Sequence, residues 1–341
     1  MTSEPTHDPA EGYVRRAALL ADLGRYDEAG QELGFAISLA PDNAVALSML
    51  AAVHLAAERP EEALAAAEEA IAAAPGSLQP LIQQGMALCD LRRFKEAALV
   101  AELILGIGPD DPYAQLHGAA ILGESRNGQK ALNAAWRAVE LAPEDPQAHL
   151  VLGVVAARME LFDLAERAYR EALRLDPELA EARHNVGVVN LEQRRFATAL
   201  EHLAEAAAIQ PVRSESTRQT MGDAVSRLAL YVGGYTIVAA VFTACMHAGS
   251  DGASRVWGFL AGVAGLIVIW AFARKLATPL RDTLRTLMRS DRPLGLAIYA
   301  TLAGPALILL YALIGTPWPL ALAIATTAVA EIAVVARTRY R

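Results

Sequence analysis

Seven histidines, two cysteines and one carboxylate inside an apolar run are the residues of this chain whose types could do chemistry. Their spacing forbids most of it. His54, His117, His149, His184 and His202 are scattered, with no pair at the short separations that metal ligands show. No nucleophile–base pair can be proposed from spacing. Cys89 and Cys245 form neither a metal spacing nor a disulfide framework, which fits a reducing compartment. There is no phosphate-binding glycine loop and no HExxH segment. No catalytic residue, metal or cofactor is therefore expected, and the chain is not read as an enzyme, with the C-terminal apolar part the open case. Two features remain. Arg281, Arg285 and Arg289 recur every fourth residue and suit a row of anionic headgroups. Glu331, about 9 Å in from Arg337 at helical rise, either marks a pathway through a membrane or reaches back to that arginine. Its shallow depth favours the second.

The elements that must position these residues are set by a period. Pro41, Pro75, Pro109, Pro143, Pro177 and Pro211 stand 34 residues apart, as do Ala29, Ala63, Ala97, Ala131, Ala165 and Ala199. Positions 17, 51, 85, 119, 153 and 187 are all alanine or glycine. A 34-residue period predicts a two-helix solenoid unit. Proline ends each unit. A short break such as Leu23-Gly24-Arg25-Tyr26 or Leu91-Arg92-Arg93-Phe94 joins its two helices. The small residues fall mid-way along the first helices and early in the second, where close approach of a hairpin needs them. Tyr26, Phe94, Phe162 and Phe196 plug the space beside them.

The segments Gly24-Arg25-Tyr26-Asp27-Glu28-Ala29 and Phe94-Lys95-Glu96-Ala97 resemble the most characteristic stretch of the tetratricopeptide repeat. The similarity covers about residues 10–213, or six repeats. Pro60 and Gly128 stand where the aromatic is expected, which predicts looser second and fourth units. The resemblance implies an all-α right-handed superhelix whose concave face, lined by first helices, holds a protein or peptide. The family's inward positions carry over to Val14, Ala18, Ser48, Ala52, Ile82, Met86, Leu116, Ala120, Leu150, Val154, His184 and Val188. Glu11, Gln79, Tyr113, Gln147, Glu181 and Glu192 supply polar edges. The groove proper is expected at Ile82, Met86, Tyr113, Leu116, Ala120, Gln147, Leu150, Val154, Glu181, His184 and Val188. The Lys, Asn and Arg with which some members clamp a C-terminal carboxylate are absent from the matching places. Much of this surface can equally serve as inter-repeat core.

Charge separates two parts. Up to Pro211 there are 17 basic and 32 acidic residues, and beyond it 13 and 6, so a net of −15 precedes a net of +7 in a chain of −8. The acidic part argues against nucleic acid, and the asymmetry points to a membrane surface. Only three of the thirty basic residues are lysines, which with the alanine excess reads as GC-rich bacterial composition. Residues 1–9 are polar and read as disordered, without the basic start and apolar core of a signal peptide. Residues 10–211 form the repeats, and 212–227 a capping helix or linker. Residues 228–341 carry four predicted transmembrane helices at 228–248, 256–273, 294–314 and 319–336. Arginines flank the first span's start, the loop between the second and third, and the chain's end. The positive-inside rule then predicts a multi-pass cell-membrane protein with both termini cytoplasmic. Leu276, Leu280, Leu284 and Leu287 opposite the three arginines predict an inner-leaflet amphipathic helix at about 279–290. Gly258, Gly262 and Gly265 form a stripe for close packing within the bundle or in a homo-oligomer.

Together these features describe a membrane-anchored adaptor that binds a cytoplasmic protein or peptide and localises it at the inner membrane. The alternative is a membrane transport or signalling unit regulated by the repeats.

Overall fold

The structure is a computed structural model that describes residues 9–209, 214–247, 249–275, 288–289 and 291–339. Helices and turns account for the described residues, with no strand among them. The chain divides into two compact units, Met1–Pro177 and Glu178–Arg341.

The first unit holds five helical hairpins. Their first helices are α1 (Pro9–Asp22), α3 (Ala44–Ala56), α5 (Leu78–Asp90), α7 (Pro112–Glu124) and α9 (Pro146–Arg158). Their second helices are α2 (Tyr26–Leu39), α4 (Pro60–Ala73), α6 (Phe94–Ile107), α8 (Gly128–Leu141) and α10 (Phe162–Leu175). Each second helix has 14 residues, including those that open with Pro60 and Gly128. The expected looseness of units two and four is thus not seen in helix length. At Gly128 the reason is Met159, whose Cγ would lie 3.1 Å from an added Cβ and so occupies the aromatic's place. Pro60 stands at the start of α4, where its missing N–H costs nothing.

The alanine lattice is the seam of every hairpin. Ala29, Ala63, Ala97, Ala131 and Ala165 are fully buried, and so are Ala17, Ala51 and Ala119. Neighbouring first helices touch one another (α1 with α3, α3 with α5, α5 with α7, α7 with α9), whereas second helices make no comparable mutual contact. First helices therefore line the tighter side of the stack. Asn43, Asp111 and Asp145 cap α3, α7 and α9 by accepting backbone N–H bonds at 2.9–3.1 Å.

The turn inside each hairpin carries a lattice that residue types conceal. Gly24, Glu58, Arg92, Arg126, Glu160 and Arg194 all have φ between 57° and 74°. Each ends its helix with a bond from the next residue's N–H five positions back, as from Leu161 to Ala156 at 2.9 Å. Only the first of the six is glycine, so five positions carry side chains in the left-handed region. Glu160→Gly is expected to stabilise the first unit by about 1 kcal/mol, the left-handed penalty outweighing glycine's chain entropy. A urea titration reading no gain, or a loss, would refute that balance.

The second unit contains α11 (Ala180–Glu192), α12 (Phe196–Ile209), α13 (Ser214–His247), α14 (Asp251–Lys275), α15 (Arg292–Ile314) and α16 (Trp318–Arg339). The sixth hairpin, α11 and α12, thus belongs with the apolar helices. Described residues of the segment expected as a capping helix or linker, from Ser214 on, are continuous with the first predicted span in the 34-residue α13. Met221, Ala224 and Val225 of α13 and Leu294 of α15 bury Leu191, Leu200 and Leu203 of the sixth hairpin. Gln219–His247, Asp251–Ala271, Arg292–Ile314 and Trp318–Val335 are long and apolar enough to cross a bilayer by length and composition.

Glycines let these helices meet. Added Cβ atoms at Gly258, Gly262 and Gly265 of α14 would lie 2.9–3.0 Å from Tyr311, Leu309 and Pro305 of α15. Gly304 of α15 likewise admits Thr236 of α13. At the other end of the bundle the buried Tyr311 hydroxyl lies 2.7 Å from Ser254 Oγ and 3.1 Å from His247 Nδ1, joining α13, α14 and α15. Arg255 donates to the carbonyls of Ala312 and Leu313 at 3.0 and 2.9 Å, satisfying the end of α15 beside Gly315 (φ 80°).

Candidate functional site

The tighter side of the first unit is where first-helix side chains converge. Ile82 and Leu150 are not on its open surface: they are 2% and 3% exposed, and Ile82 belongs to the core shared with Ile121 and Leu122. On the same helix as Ile82, Gly85 leaves room for Ile121, whose side chain would lie 2.6 Å from an added Cβ. Leu116, Ala120 and Val154 are half-buried, whereas Met86, Tyr113 and Gln147 are exposed. In the second unit Glu181 is exposed, and His184 and Val188 are half-buried. His184 Nδ1 meets Thr217 Oγ1 at 3.2 Å, which turns it toward α13.

The open part of the face lies at α3 and α5. A cavity of about 430 Å³ is lined there by Val45, Ser48, Met49, Gln79 and Gln83, among others. Ser48 Oγ donates to Gln83 Oε1 at 2.9 Å, and both side chains are buried. One hairpin further on, the Tyr113 hydroxyl donates to Gln79 Oε1. The His117 and Tyr113 ring centroids lie 4.4 Å apart in an edge-on arrangement. The result is a row of amide and hydroxyl groups set among apolar side chains, with no ionised group lining the cavity. Such a surface can exchange hydrogen bonds with a peptide backbone and shelter small apolar side chains. In the sequence Ser48 is marked as an inward position and Gln79 as a polar edge, both outside the expected groove proper, and Gln83 is not marked. The clue was a glutamine one residue past an inward apolar position.

Burial pushes the His117 imidazole below its ordinary pKa, and does the same to His54. Burial also pushes the Tyr113 phenol up, which keeps its proton available to Gln79. Burial, helped by Glu124, pushes the Cys89 thiol up to about 12, so it is a packing residue and not a nucleophile. The histidine shifts carry a sign. A folded pKa below the unfolded value of about 6.5 leaves the stabilisation complete above that value and removes it as pH falls. Lowering pH from about 7.5 to about 5.5 is expected to lower the unfolding midpoint, with a shallower slope in His117→Gln. Equal slopes in the two proteins would remove His117 from this account.

Elsewhere, Arg289 is exposed, whereas Arg281, Arg285 and most of the expected 279–290 helix lie outside the described residues. Glu331 is half-buried in α16. No group of three or more potential metal ligands occurs among the described residues.

A stack of uniform two-helix units with a ligand-sized cavity on its first-helix side defines a helical-repeat binding protein. The family profile of the tetratricopeptide repeat matches residues 20–89 and again 155–213. The chain carries a tetratricopeptide-repeat array, and the helices between the two matched stretches, α6 to α9, keep its period. Among solved structures it resembles Cut9 from the APC/C hetero-tetramer Cut9–Hcn1, with a TM-score of 0.52 and 18% identity over 63% of this chain. It spans only 42% of that chain. It also resembles PilW, described as a type IV pilus biogenesis factor, with a TM-score of 0.51 and 17% identity over 63% of this chain and 100% of PilW. These likenesses show the fold alone. No curated protein matches the chain in sequence.

Proposed function

We propose that this protein is a membrane-anchored adaptor. Its repeats hold a peptide segment of a cytoplasmic protein on the first-helix face, and four apolar helices fix that protein at the inner membrane. The observation that carries the reading is the uncharged cavity of about 430 Å³ at α3 and α5, with its buried Ser48–Gln83 pair. Tetratricopeptide repeats are protein-interaction modules, and the four apolar helices support the anchoring. The distribution of arginines supports a multi-pass arrangement with both termini cytoplasmic. Met86, Tyr113 and Gln147 extend the contact surface, with Leu116, Ala120 and Val154 as its half-buried floor. Arg281, Arg285 and Arg289 meet anionic headgroups in this scheme. The gain is one of effective concentration at a surface, with no bond made or broken.

The test is a crosslinked pull-down from native membranes with the full chain and with Val45→Asp combined with Tyr113→Ala. Val45 lines the cavity and is exposed, so a charge there blocks the site without entering the core. Loss of one specific protein from the altered bait, with the helical spectrum unchanged, supports the adaptor. Recovery of the same proteins by both baits overturns the groove. Glu331→Gln separates the transport or signalling reading: the adaptor tolerates it, whereas loss of function with capture intact would favour a membrane pathway.

A further inference from the structure

The opposite side of the stack carries an apolar stripe that neither the groove nor the core uses. α6 packs against α5 and α7, and its outward row is Leu99, Leu103 and Ile107, which are 68%, 52% and 41% exposed. Spacing of four places them one above another on a single helix face. Gly106 beside them is exposed, with nothing within 4 Å of where a Cβ would stand. That bare backbone leaves a hollow next to the exposed Leu103.

The ends of the stripe differ in charge. Its N-terminal end carries exposed Arg92 and Lys95, neither of them ion-paired among the described residues. At its C-terminal end stands Asp110, 78% exposed, which touches Arg137 through one oxygen at 2.6 Å. Lys95 lies two turns before Leu103 on α6, and Asp110 stands in the turn just past the end of the helix at Ile107. A partner helix running parallel would set like charge on like. One running antiparallel about Leu103 sets Lys95 of each copy against Asp110 of the other and Leu99 against Ile107. A patch that matches itself under a two-fold rotation is what an isologous dimer requires.

We infer that α6 is a self-association surface: a second copy of this chain docks antiparallel across Leu103. The apolar row supplies the contact, Gly106 admits the facing leucine, and the Lys95–Asp110 pairs set the orientation. The stripe is small for a dimer free in solution, and anchoring both copies in one membrane raises their effective concentration.

The experiment places Leu103→Cys in a full chain whose own thiols are removed by Cys89→Ala and Cys245→Ala, in native membranes under mild oxidation. Thiols beside a two-fold axis should join and shift the band to twice the monomer mass. Leu23→Cys, more exposed still (71% against 52%) but in a turn of the first hairpin, should stay monomeric. Lys95→Glu should abolish most of the joined band, and Lys95→Glu with Asp110→Lys should restore it. Joining at Leu103 no faster than at Leu23, or joining to a different protein, overturns the inference. Joining that ignores the charge of residue 95 overturns the antiparallel orientation.

Discussion

Gly153→Ala should cost about 1–2 kcal/mol, although alanine normally strengthens a helix by nearly 1 kcal/mol over glycine. Gly153 sits mid-way along α9, where an added Cβ would stand 2.4 Å from Tyr169 Cε1 and 2.5 Å from Cδ1. Tyr169 belongs to α10 and is 2% exposed, and a ring buried in a close-packed interior has little room to turn aside. The clash therefore opens the α9–α10 hairpin and does not merely displace a flexible tip. Gly153→Val should be worse, since both branches meet the ring. Removing the ring instead, as Tyr169→Ala, should cost about 3–5 kcal/mol through the cavity it leaves. Tyr169→Leu in the Gly153→Ala background should recover part of the loss, because leucine lacks the clashing ring atoms. Gly34→Ala in α2 is the control, with nothing within 4 Å of its Cβ, and should be neutral or stabilising. Urea midpoints of these five proteins decide the matter. Equal effects at positions 34 and 153 would show that close approach does not explain the small residue.

The four long apolar helices of the second unit offer the second large effect. Gly262→Leu is expected to separate α14 from α15 and abolish the cooperative thermal transition of the detergent-solubilised protein. An added Cβ there would stand 2.9 Å from Leu309 N and 3.1 Å from its Cα. Those are backbone atoms inside a helix, so relief requires moving the whole of α15. Even Gly262→Ala should cost about 2 kcal/mol by the same obstruction. Gly234→Leu in α13, where an added Cβ has nothing within 4 Å, should leave the transition in place. Small residues at a helix contact let the two backbones approach closely, which is how apolar helices gain van der Waals contact with one another. If Gly262→Leu melts like the parent, the glycine stripe does not hold the bundle together.

The repeat architecture was legible because each hairpin touches only its neighbours, so one packing constraint returns at one spacing. That is why prolines and alanines at steps of 34 mark the hairpins along the sequence. The glycine stripe was legible for the same kind of reason, small residues being needed wherever two backbones meet. The left-handed turns escaped notice because Glu58, Arg92, Arg126, Glu160 and Arg194 are not the residues such turns favour. Their backbone is imposed by the hairpin on both sides.

What the sequence by itself determined is the local unit: its length, its seam, and four segments apolar enough for a bilayer. What only the tertiary structure decided is which equivalent positions are open. Ile82 and Met86 lie one turn apart on the same helix, yet one is in the core and the other exposed. Ile82 belongs to a core cluster shared with side chains of the neighbouring hairpin, Ile121 and Leu122 among them, whereas Met86 stands outside it. The end of the first compact unit was hidden in the same way. Pro177 and Pro211 are equal members of one lattice, but the hairpin between them is covered by α13 and by Leu294, more than eighty residues beyond it. Period is written along the chain, whereas exposure is set by whichever atoms, however distant in sequence, come to rest against a residue.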